Sequence, residues 1–269
     1  MTDRKFRPAV SARESSALLK TIEGEVIPRL VLAHRRQGLG PTARDAGDGK
    51  TQILLAQVEQ LCGMLRQGHD AEALAYVQEL HALGVDRDTL YLDLLAPAAR
   101  WFGAEWENEC ADFVEVTVGL RRLQKLARSL SAEAGEDMAP PLSGRRMLIA
   151  VLPGEQHVFG SQLVVDMLRQ ARWDVWDTPG ASETDILSLV QHEWFAVVGL
   201  SISSSEQLDA LSGLIRRIRR HSLNRDVRIM VGGRPFQSHG DGVALVGADV
   251  AATDGRDAVR QAEQLIQLL

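Results

Sequence analysis

The residue best suited to chemistry in this chain is His157, within the run Glu155-Gln156-His157-Val158-Phe159-Gly160. An imidazole with a carboxylate two residues away suits metal ligation: one ring nitrogen binds the metal, and Glu155 orients the ring through the other. Alone, the hexapeptide says little, because a loop histidine is ordinarily a solvated surface residue. Two further groups change its setting. Ser201-Ile202-Ser203 and Gly232-Gly233 each close a separate apolar run. Hydroxyls can hold a polar ligand, and glycines let one approach the backbone. Ser-rich loops also cap helices and Gly-Gly pairs also turn corners, so the joint placement points to a ligand cleft.

That placement depends on the elements that carry these residues. Beyond residue 144 short apolar runs alternate with amphipathic ones. Met147–Leu152, Trp173–Trp176, Phe195–Ser201, Val227–Val231 and Asp249–Ala252 read as strands. Gln162–Ala171, Thr184–His192, Ser205–Arg220, a short Phe236–Val246 stretch and Arg256–Leu269 read as helical segments between and after them. This alternation predicts a parallel sheet covered by helices, with the flavodoxin-like order 2-1-3-4-5. In that order the loops after strands one and three flank the point where strand order reverses, which is where open α/β sheets bind ligands.

Upstream the period is helical throughout. Residues 11–36 place Leu18, Leu19, Ile22, Val26, Ile27, Leu30 and Val31 on one face, interrupted by Pro28. Residues 38–50 contain four glycines and a proline, which predicts a flexible linker. From 51 to 132, one helix runs from Ile53 to near Gly68 and a second from Ala71 to Leu83. A third, capped by Asp86, runs through Leu90, Leu94 and Leu95 toward Trp106; a fourth, capped by Asp112, spans Phe113–Leu130. Short breaks favour a four-helix bundle. Trp101 and Trp106 near the end of the third helix suit either a flat lid over a planar ligand or packing in the bundle core. Residues 133–144, rich in Pro, Gly and acidic side chains, read as the linker to the α/β domain at 145–269.

Composition excludes some classes. The net charge is -6, divided as +4 over residues 1–50 and -10 over the rest, which argues against strong direct nucleic-acid binding. Cys62 and Cys110 are too few for a disulfide framework; falling in helical patterns, they read as packed and reduced. No apolar run is long enough to span a membrane, and the charged start lacks a signal peptide's apolar core. A cytoplasmic protein is expected.

The constellation Glu155-x-His157-x-x-Gly160, Ser201-Ile202-Ser203 and Gly232-Gly233 resembles the cobalamin-binding domain family, whose signature is Asp-x-His-x-x-Gly, Ser-x-Leu and Gly-Gly. The resemblance covers residues 145–269, and a preceding helical cap is typical of that family. It implies base-off, His-on binding of hydroxocobalamin or adenosylcobalamin, with His157 as the lower cobalt ligand. The displaced tail would pass Gly160, Ser201 and Ser203 on its way to Gly232 and Gly233. Glu155 stands where the family has Asp, and Ser203 where it has Leu. In light-sensing relatives a cap Trp is followed, nine residues on, by Glu-His over the upper face. Here Trp106 is followed at the same gap by Val116-Thr117, so that upper histidine is missing and a tetramerising light sensor is not expected. His34, His69 and His81 remain candidate upper ligands.

A narrower resemblance spans nearly the whole chain. Residues 21–30 (TIEGEVIPRL) with His34-Arg35, Trp106, residues 110–120 (CADFVEVTVGL) and Arg122-Leu123-Gln124 resemble the AerR/PpaA antirepressors of purple photosynthetic bacteria. It implies a non-catalytic cobalamin-binding regulator that relieves a DNA-binding transcriptional repressor of photosynthesis genes, with light or redox as candidate signals. Contact would run through residues 11–36 or the basic face Arg216, Arg217, Arg219 and Arg220, which otherwise reads as a solvated face. Two other readings stay open. One is a corrinoid methyl carrier for partner methyltransferases; the other is a haem sensor in which His157 binds iron.

Overall fold

The computed structural model describes residues 53–269 apart from 109, 136–138, 156–157, 238–240 and 268–269. The described residues all belong to one compact unit, Lys50–Leu269. The helix expected at 11–36 and the linker at 38–50 lie outside the described residues.

Four helical stretches form the first half. Helix α1 (Leu55–Gln67) and α2 (Asp70–Ala82) are followed by α3 (Arg87–Thr89), a wider π-helical stretch (Leu90–Leu95), α4 (Ala96–Glu107) and α5 (Phe113–Gly135). The expected caps form: Asp86 accepts from the Thr89 amide and Asp112 from the Glu115 amide, each at 2.8 Å. The π stretch was not legible as such, though Pro97 supplies its reason. A proline cannot donate to the fourth residue back, and its ring crowds that carbonyl. The wider turn relieves this, with the Ala96 amide reaching Tyr91 O. Helix α5 also runs to Gly135, into the expected linker. Leu61, Leu65, Val77, Leu94, Phe102, Leu123 and Ala127 share one buried core. Arg122 stitches the bundle by donating to Leu65 O at 2.8 Å, at the carboxyl end of α1.

The second half alternates strand and helix in the expected order. Its elements are β1 (Arg146–Val151), α6 (Phe159–Gln170), β2 (Asp174–Asp177), α7 (Glu183–His192), β3 (Val197–Ser201), α8 (Leu208–His221), β4 (Arg228–Gly232), α9 (Asp241–Val246), β5 (Val250–Ala252) and α10 (Gly255–Gln267). The sheet is parallel, with strand order β2-β1-β3-β4-β5. Alternate residues of β1 face opposite ways. Leu148 and Ala150 pack toward α7 and α8, while Met147 and Ile149 pack toward α6 and α10. Burial on both faces is why these strands read as continuous apolar runs.

Leu163 and Met167 of α6 are also part of the bundle core, so the two halves share one apolar interior. Ser131 of α5 donates to Asp166 of α6 at 2.8 Å, and Arg256 of α10 donates to Thr89 at 3.0 Å. Asp166 is buried, and burial raises its carboxyl above the ordinary 3.8 despite the bond from Ser131 and nearby Arg169. Because the folded state holds this proton more tightly than the unfolded chain, stability is lost as pH rises from the unfolded value through the raised one. Asp166→Asn keeps an acceptor for Ser131 and removes the charge. It is expected to gain on the wild type across that window and to keep a constant advantage above it. Urea midpoints at stepped pH measure this; an advantage that shrinks with rising pH would contradict it.

Candidate functional site

The parallel register lines up the carboxyl ends of the strands. Val151 pairs with Ser201, Ser201 with Gly232, and Gly232 with Ala252. Three separate sequence segments thus reach one edge of the sheet. The chain leaves β1 through Leu152, Pro153 and Gly154, with the Glu155 amide bonded to Leu152 O at 2.9 Å. The Glu155 carboxylate accepts from the Ser203 amide at 2.9 Å and so ties the loop after β1 to the loop after β3. Gln207 also accepts from the amides of Ser203 and Ser204, at 3.2 and 3.1 Å. The extra methylene of Glu over Asp spans this gap. His157 lies outside the described residues.

The remaining candidates divide by surroundings. Ser201 and Ser203 are half-buried at the edge. Gly160, the second residue of α6, is exposed, and a side chain there would meet open space. Gly232 has room for a methyl group, with Ala252 O 3.6 Å away as its nearest neighbour. Gly233 differs. Its φ is 104° and a Cβ would lie 1.9 Å from Ile202 O. The expectation that both glycines simply open space for a ligand is therefore corrected at Gly233, where the neighbouring backbone already occupies it.

Trp106 is 50% exposed and is not part of the bundle core, whereas Trp101 packs against that core and meets Phe102 edge-on. Thr117 is half-buried, and Val116 is 7% exposed inside the bundle core. Position 116 is thus filled by an apolar core residue rather than by a polar ligand. His81 holds one ring nitrogen 2.9 Å from Val85 O, and His69 lies 3.1 Å from Glu72. Cys62 is buried and its thiol is pushed up to about 12 by that burial. Cys110 is exposed in the turn after α4, which corrects the expectation that both cysteines are packed. Of the four arginines on α8, Arg217 pairs with Glu183 at 2.7 Å and Arg219 with Asp249 at 2.9 Å. Arg216 bonds to Ser212 within its own helix. Half of that basic face fastens the domain.

A cavity of about 220 Å³ lies where the bundle meets the sheet edge. Val151 closes β1 beneath it, Ser161 and Gln162 come from the first turns of α6, Asp177 ends β2, and Gln124 and Arg128 come from α5. Sequence reading missed these polar residues. A signal was present: Gln124 and Arg128 lie four apart, with the buried Leu123, Leu126, Ala127 and Leu130 among and beyond them. Thr117, seven residues before Gln124, falls on the same stripe of the helix.

A parallel sheet with a half-open carboxyl edge, roofed by helices, thus brings hydroxyls, amides and one charge of each sign together. Residues 145–263 match the family model of the B12 binding domain. The chain is 26% identical over 176 residues to the "uncharacterized 20.5 kDa protein in bchF-crtJ intergenic region" of Rhodobacter capsulatus, an alignment covering 65% of this chain and 91% of that protein. It is also similar in three dimensions to the monomethylamine corrinoid protein of Methanosarcina barkeri. That likeness has a TM-score of 0.64 at 16% identity and covers 78% of this chain and 98% of the other. At that identity the likeness concerns the fold. Among the described residues no helix is long and apolar enough to cross a membrane.

Proposed function

We propose that this protein binds cobalamin at the carboxyl edge of the sheet and uses its bound state to relieve a DNA-binding repressor of photosynthesis genes. The observation that carries the first part is the match of residues 145–263 to the B12 binding domain, on an edge where Glu155, Ser201, Ser203, Gly232 and Gly233 converge. The residues fit such a group in kind. Open space flanks Gly160, the edge is half-open, and the cavity beneath α5 offers amide and hydroxyl partners. In this reading His157 supplies the lower cobalt ligand, and Ser201 and Ser203 line the path of the displaced tail. The cobalt would supply a ligand state that changes with light or redox conditions.

The regulatory part is supported by the relative encoded between bchF and crtJ, in a photosynthesis gene region. It is also supported by the pair Val116-Thr117, a buried apolar residue and a half-buried hydroxyl, which leaves that cap position without a histidine. The protein then acts by contact and catalyses no reaction. Reconstitution of the full chain with hydroxocobalamin is expected to give a bound spectrum distinct from the free cofactor, and haemin a weaker or absent one. Pull-down from a photosynthetic host, with and without cobalamin, is expected to recover a DNA-binding repressor. Recovery of methyltransferases without a repressor would favour the methyl carrier, and a haem-only spectrum would favour the haem sensor.

A further inference from the structure

The cavity between α5 and the first turns of α6 is lined by two charged groups, Arg128 and Asp177, to which the proposed function gives no role. Arg128 offers only donors, Asp177 only acceptors, and Gln124 and Gln162 both. Among the described residues the side chains of Gln124, Arg128 and Gln162 have no hydrogen-bond partner. Asp177 is held in place from below. Its Cα pairs with Ile149 of β1, and the next residue, Thr178, bonds to Ile149 O through its amide at 3.1 Å and its hydroxyl at 3.2 Å.

We infer that this cavity seats one carboxamide side chain of the corrin ring, and that Asp177 and Arg128 together select the amide over a carboxylate. The inference rests on the cobalamin reading and adds what decides between macrocycles. A primary amide carries a donor and an acceptor side by side, so it satisfies Asp177 and Arg128 at once. A carboxylate accepts only. It can pair with Arg128 but sets like charge against Asp177, a mismatch that the amide avoids. The corrin periphery carries amides, whereas haem carries carboxylates, so the same pair of residues disfavours haem.

The test uses the full chain, with hydroxocobalamin and its separated monocarboxylic acids, each with one ring amide hydrolysed, as probes. Affinities are read by absorption titration. The wild type is expected to bind at least one acid about tenfold more weakly than hydroxocobalamin, a difference of about 1.4 kcal/mol. Asp177→Asn removes the charge that opposes a carboxylate and should bring that ratio toward one. Arg128→Gln, on an exposed face of α5, removes the group that attracts a carboxylate and should widen it. Opposite shifts in the two variants cannot come from a general loss of folding. Tight hydroxocobalamin binding with an unchanged ratio in both variants overturns the cavity assignment and leaves the cobalamin reading standing. Failure of the wild type to bind hydroxocobalamin overturns the reading itself, and this inference with it.

Discussion

Gly233→Ala is expected to destabilise the protein by on the order of 3 kcal/mol. The residue combines φ of 104° with ψ of 178°, a region that side chains essentially forbid. Its missing Cβ would also overlap Ile202 O at 1.9 Å. Ile202 cannot yield easily, since it is buried and its amide donates to Gly232 O at 3.2 Å. The same bond joins the ends of β3 and β4, so a forced shift would spread directly to Ser201 and Ser203. Gly232→Ala is the control, because its nearest neighbour would be an ordinary 3.6 Å away and its φ is not positive. Urea unfolding of the pair should show a large loss at 233 and a small one at 232. Equal losses would mean that backbone contact is not what requires glycine at 233.

His157→Ala is expected to weaken hydroxocobalamin binding at least about tenfold and to return the residual complex to the base-on spectrum. A lower-face imidazole both adds a metal bond and competes with the cofactor's own base, so its loss should appear in affinity and in colour together. Unchanged affinity and spectrum would remove the axial-ligand assignment while leaving the fold intact. Glu155 sharpens the interpretation. Its carboxylate bonds the Ser203 amide across the cleft, so Glu155→Ala should loosen the edge as well as any ring it orients. Glu155→Asp tests reach: the shorter side chain must give up part of that 2.9 Å bond or draw the loops together.

Much of this architecture was legible because periodicity is local. The run Met147–Leu152 is buried on both sides, and both sides must then be apolar, which is how a covered parallel strand appears in sequence. Asp86 and Asp112 were readable as caps because a cap needs only a short polar side chain three residues before its partner. Convergence of Ser201 and Gly232 followed from strand order, itself constrained by chain connectivity.

Other features depended on distant neighbours. No local pattern in Gly232-Gly233 says which glycine is dispensable; the carbonyl of Ile202, at the preceding strand's end, decides that. Trp101 and Trp106 are alike in sequence, yet only packing leaves one against the core and the other half in solvent. Val116 was equally readable as a cofactor contact until helix packing turned it inward. The cavity polar groups come from α5, α6 and β2, and only the docking of the bundle on the sheet brings Arg128 and Asp177 to the same space. The sequence by itself determined the strands and helices of residues 145–269, their order and the edge where the candidate residues converge, because those follow from local periodicity and connectivity. Tertiary structure alone decided which of those side chains are exposed and which are packed away, because exposure is a property of what packs against what.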